Sequence, residues 1–102
     1  MVVTVSHSAP YETDTPADSV ALMNAFVADS NIDMLSPQLY SSGTESAPDY
    51  AETSACKSAG CTWDLYKNAK AQFVPSIANS NQYDAVKTYF ASTYSITVKG
   101  YI

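Results

Sequence analysis

Residues 31–43 read NIDMLSPQLYSSG, and this stretch decides the fold. Residues 32–39 are apolar with little interruption, and Pro37 stands near their end. A run of this kind reads as a strand covered on both faces, the environment of a parallel sheet. Pro37 has no N–H to give a ladder, so it belongs at the strand's end or at a bulge. Gln38 and Tyr40 follow, then a polar cluster. Two apart in a strand, Gln38 and Tyr40 point the same way. A glutamine and a tyrosine at one strand end are suited to holding a polar ligand.

Working outward, residues 2–7 (VVTVSH) are a β-branched run and predict a first strand. Thr15, Pro16 and Asp18 then mark a helix start: a cap, a proline at the first helical position, and an acid at the positive end. Val20, Met23, Phe26 and Val27 recur at helical spacing up to Ala28. Residues 41–60 read as a long polar loop. Thr62 caps a short helix over residues 63–70. Residues 72–77 form a third strand. Asn81 and Asp84 open a helix to about Ser92, with Tyr83, Val86, Tyr89 and Phe90 on its apolar side. Residues 96–102 form a fourth strand. Strands alternate with helices, which is the pattern of parallel βα units. The expected fold is α/β, four parallel strands and three helices in the order β-α-β-α-β-α-β, with 1–102 as one βα-repeat domain. The competing architecture is an open, flavodoxin-like sheet.

Composition narrows the function. Apolar residues make up 46% and charged residues 15% of the 102, a globular balance. Ten acids face five lysines, for a net charge of −5. That excludes non-specific nucleic-acid binding and an anionic membrane surface as partners, because both need a basic face. No apolar run reaches the length of a membrane span. Eight tyrosines and no arginine give a surface of the kind found on secreted, sugar-handling proteins.

Cys56 and Cys61 lie in CKSAGC, with Ser58, Ala59 and Gly60 between them as a flexible turn. The spacing suits a disulfide, which implies an oxidising, extracellular compartment. So short a loop limits its contribution to on the order of 2 kcal/mol. Two cysteines do not complete a zinc site, and His7 is remote in sequence. No metal or cofactor is expected.

In parallel βα architectures the chemistry lies at the strands' C-terminal ends. Ser6 and His7, Gln38 and Tyr40, and Ser76 and Asn79 occupy those ends. The segments resemble the second half of a (β/α)8 barrel of the chitinase type, glycoside hydrolase family 18. TVSHSAPY resembles that family's fifth strand, IDMLSPQLYSSG the sixth, KAQFVPSIANS the seventh, and VKGYI the start of the eighth. The resemblance implies a half-barrel, a piece of a larger barrel. It also implies that Gln38 and Tyr40 contact the sugar at the cleavage point. The family's acidic DxxDxDxE motif has no counterpart, since no DxD or DxE occurs in the chain. No catalytic residue is therefore assigned.

Each ligand candidate has a structural alternative. Gln38 and Tyr40 can simply end a strand. His7 belongs to no Ser-His-Asp or metal constellation and suits a structural role. Trp63 is a sugar-stacking platform or a core residue beside the disulfide. Glu12 and Asp14 are a carboxylate pair for glycoside hydrolysis or face water near a helix start. Three functions follow from these residues: a non-catalytic, chitinase-like module that binds a chitin-like oligosaccharide, a hydrolase completed by a partner chain or the missing half, and a self-assembling interaction protein. A half-barrel leaves an inner face bare, so a homo-oligomer or the missing half is the expected partner.

Overall fold

The computed structural model describes residues 1–5 and 14–102. Strand β1 (Val2–Val5) leads to helix α1 (Pro16–Ala28) and strand β2 (Met34–Pro37). Helix α2 (Ser54–Ala59) and a 3-10 segment (Trp63–Asn68) precede strand β3 (Gln72–Phe73). A 3-10 turn (Ser80–Gln82) runs into helix α3 (Tyr83–Tyr94). The result is mixed α/β, with a three-stranded sheet in the order β1-β2-β3. Both pairings are parallel, with Val3 opposite Leu35 and Leu35 opposite Phe73.

Register and burial show what each face of the sheet does. Val5, Leu35, Leu39 and Phe73 belong to one buried cluster with Met23 of α1, Trp63 and Tyr66 of the 3-10 segment, and Val86 and Phe90 of α3. The Phe73 ring meets Tyr66 at 5.0 Å and Phe90 at 4.8 Å, both edge-on. Among the described residues, the helices in this cluster thus meet the sheet's odd-numbered side. Side chains alternate along a strand, so even-numbered residues take the other face. There Val2 is 49% exposed, and Thr4 and Gln72 are also exposed. Ser36 and Ser76 are buried on that side and share a hydroxyl–hydroxyl bond of 2.9 Å.

The expected second and third strands are longer than the regular ones, and proline is the reason. The β2–β3 ladder continues through Val74 N–H to Leu35 O, Ser76 N–H to Pro37 O and Leu39 N–H to Ser76 O. Pro37 has no N–H and omits one rung toward the third strand. Pro75 omits one on the opposite side. That second omission corrects the expectation of a fourth strand. Residues 96–102 do run parallel beside β3, through a bridge between Phe73 and Val98. Lys99 donates to Phe73 O and Ile102 to Pro75 O. Three steps on one side thus match two on the other. The surplus is a bulge at Gly100, whose φ of +146° only glycine adopts readily.

Local chemistry makes three further corrections. The CKSAGC segment is helical rather than loop: the Thr53 hydroxyl accepts from Cys56 N–H, and Gly60 closes α2 at φ +91°. The short helix expected over residues 63–70 winds as 3-10 and ends at Asn68. The Asn79 side chain caps a separate turn, so α3 begins at Tyr83 rather than Asn81. Thr15 holds the predicted cap position of α1 through its carbonyl, which accepts from Asp18 and Ser19, without a side-chain capping bond.

Candidate functional site

The polar residues of the sheet gather where the strands finish. Gln38 pairs with Ser76 across the β2–β3 boundary, and its N–H donates to Val5 O at 2.9 Å. All three strand ends therefore converge on Gln38. Leu39 is buried in the core, while Gln38 and Tyr40 on either side of it are partly exposed. Alternation assigns both to the face away from the helices. The structure sets Gln38 beside Ser76 of the buried Ser36–Ser76 pair, and Tyr40 follows two residues on.

The loop after Tyr40 is built around Glu45. Its carboxylate accepts from the N–H groups of Ser41, Ser42 and Gly43 and from the Ser41 hydroxyl, at 2.7–2.9 Å. The Ser42 N–H and the Ser41 hydroxyl hold the Glu45 carboxyl far below the usual carboxylate range. Gly43 supplies the left-handed turn, with φ +86°. Two more bonds fasten the loop: Asp49 N–H to Leu39 O at 2.8 Å, and the Gln82 side-chain amide to Glu45 O at 2.9 Å.

Beyond this loop the structure reassigns Trp63. It is 1% exposed, and its indole N–H donates to Tyr50 O at 2.9 Å. Its ring meets Phe90 edge-on at 5.4 Å. A side chain so enclosed offers no face to a sugar, which corrects its reading as a stacking platform. Glu52 is the neighbouring anchor. One of its carboxylate oxygens accepts from Trp63 N–H at 2.8 Å, and the other accepts from the Tyr94 hydroxyl at 3.2 Å. Burial, with Tyr89 and Glu52 nearby, pushes the Tyr94 hydroxyl pKa well above its ordinary value.

The remaining candidates stand apart. His7, Ser6 and Glu12 lie outside the described residues. Asp14 is exposed ahead of α1. The Asn79 side chain is occupied as a cap. Cys56 and Cys61 form the expected disulfide, with Cα atoms 4.7 Å apart. Among the described residues no group of three His, Cys, Asp or Glu side chains is placed to hold a metal. No helix among them is long and apolar enough to cross a membrane.

Sequence reading missed Glu45 and Glu52. Two serines and a glycine just before Glu45 were its available signal, since small residues leave N–H groups open to a nearby carboxylate. Glu52 has no such signal, because its partners Trp63 and Tyr94 are distant in sequence. Comparison with protein-family models, with curated proteins and with solved structures found no match to this chain.

Proposed function

We propose that the chain is a chitinase-like carbohydrate-associated module, half of a (β/α)8 barrel, that binds a chitin-like oligosaccharide without cleaving it. The observation that carries this reading is the one-sided sheet. Its three strands are parallel, its helices pack on one face, and Gln38 and Tyr40 lie at the finishing ends on the other. A (β/α)8 barrel has the same division between a helix-covered outside and an inward face, with the ligand site at the C-terminal ends of its strands. The exposed part of that face, at Val2, Thr4 and Gln72, is covered in this reading by a second copy of the chain or by the other barrel half. The disulfide fits a secreted protein.

Calorimetric titration with chito-oligosaccharides tests the sugar site. The expected result is saturable binding, weakened by Tyr40→Ala and by Gln38→Ala. No heat at millimolar ligand, or binding indifferent to both substitutions, rejects it. Light scattering tests the cover, and a well-folded monomer removes self-association. The second reading, an interaction protein that assembles without ligand, draws on exposed Val2, Tyr101 and Ile102. It requires oligomers and no response to sugar.

A further inference from the structure

The chain is acidic, with ten carboxylate residues against five lysines. Three of those lysines nevertheless line one cleft of about 340 Å³: Lys67, Lys70 and Lys99. The cleft lies where β3 and the final segment begin, at the opposite end of the strands from Gln38 and Tyr40. Lys67 and Lys70 flank the end of the 3-10 segment, three residues apart. Lys99 arrives through its backbone bond to Phe73 O. No Asp or Glu lines the cleft, and Ser95 and Thr97 bring hydroxyls to it. Among the described residues none of the three lysines is ion-paired, since the salt bridge formed is that of the Met1 amino group with Asp33.

A second observation concerns the wall. Tyr66 is part of it and is 3% exposed. Its hydroxyl is buried and has no hydrogen-bond partner. Buried polar groups are normally satisfied, and an orphan costs about 1–3 kcal/mol. Burial also keeps this hydroxyl protonated, with its pKa pushed far up, so it remains a donor. Three lysines around one cleft favour an anion among them, because each opposite charge attracts it. The cleft therefore combines three lysines with no competing carboxylate, in a protein of opposite overall charge.

We propose that this cleft binds a tetrahedral oxyanion, a phosphate or sulfate group, with Lys67, Lys70 and Lys99 supplying the charge. A duplex or other long polyanion does not suit a confined site on a chain of net charge −5. The proposal does not rest on the sugar reading, because a neutral oligosaccharide carries no group for this site.

Titration of the full chain with sodium phosphate and sodium sulfate, against sodium chloride at matched ionic strength, tests it. Saturable binding with a rise in Tm is expected for the oxyanions and not for chloride. Each of K67Q, K70Q and K99Q should weaken binding by about 3- to 10-fold, and the triple variant should lose it. Running a monosaccharide phosphate and a sulfated disaccharide beside their parent sugars separates a carried group from a free anion. The proposal is overturned by an oxyanion response no larger than that of chloride, or by an affinity unchanged in a triple variant whose circular dichroism matches the parent.

Discussion

The ring of Tyr50 lies flat on the ring of Tyr89, with centroids 3.8 Å apart and planes 15° from parallel. Tyr50 also meets Phe90 edge-on, and its carbonyl accepts from the Trp63 indole. One residue of the long middle segment thus ties that segment to α3 and to the core. Tyr50→Ala should cost about 1–3 kcal/mol in a denaturant titration. Tyr50→Phe, which keeps the ring, should cost far less. Equal losses in the two would show that the stacked ring is not the source.

Glu45 offers a test of the loop that follows Tyr40. Its carboxylate gathers three backbone N–H groups, so Glu45→Ala should speed hydrogen exchange at Ser41, Ser42 and Gly43. The core should hardly respond. Because this carboxyl is held below its ordinary range when folded, its contribution is present above the unfolded carboxylate pKa. It fades as pH falls from about 4 downward. Unchanged exchange at those three amides in the variant would remove Glu45 as the loop's anchor.

The alkaline limb should be steeper. Burial raises the pKa of Tyr66, and burial leads the causes that raise those of Tyr50 and Tyr94. A raised folded pKa means the unfolded chain loses its proton first. Stability is therefore full below the unfolded tyrosine pKa and declines as pH rises past about 10. Tyr66→Phe should flatten that decline while leaving stability at neutral pH unchanged or higher, since it deletes an unsatisfied buried hydroxyl. An equally steep decline in the variant would exclude Tyr66 as a contributor.

The helix ends supply another stability test. Ser95 closes α3 in the left-handed region, at φ +57°, where a side chain is strained. Ser95→Gly should raise stability by about 0.5–1 kcal/mol, read as a higher midpoint in urea. A lower midpoint would mean that the Ser95 side chain contributes more than its backbone strain costs.

The disulfide should matter locally. Reduction should lower stability by about 2 kcal/mol or less and leave the far-ultraviolet spectrum near native, because the closed loop is short. Global unfolding on reduction would give Cys56–Cys61 a larger role than loop entropy allows.

Much of this architecture is legible in the sequence because it follows from local chemistry. The β-branched run at Val2, the apolar run through Leu35 and the proline at the start of α1 each specify their element without help from the rest of the chain. The fourth strand is a different matter. Its residues have strand character, but whether they join a ladder depends on the N–H that Pro75 lacks and on the bulge at Gly100. Trp63 was ambiguous for the same reason: its enclosure is set by Tyr50 and Phe90, neither of them a near neighbour in sequence. The cleft lysines were equally hidden. Lys67 and Lys70 are close in the chain, but only the pairing of Val98 with Phe73 brings Lys99 beside them.

Pro75 and Gly100 also set the order in which the molecule comes apart. With one rung absent and the next displaced, the seam between β3 and residues 96–102 is held by Lys99 N–H to Phe73 O, Ile102 N–H to Pro75 O and, just past β3, Ile77 N–H to Ile102 O. Tension applied to the C-terminus would peel this seam first, like a zipper with a missing tooth, while the β1–β2 pairing still held. The anion cleft, which takes Lys99 from one side of that seam and Lys67 and Lys70 from the other, would be dismantled at the same moment. An oxyanion seated there would act as a rivet across that joint of the sheet.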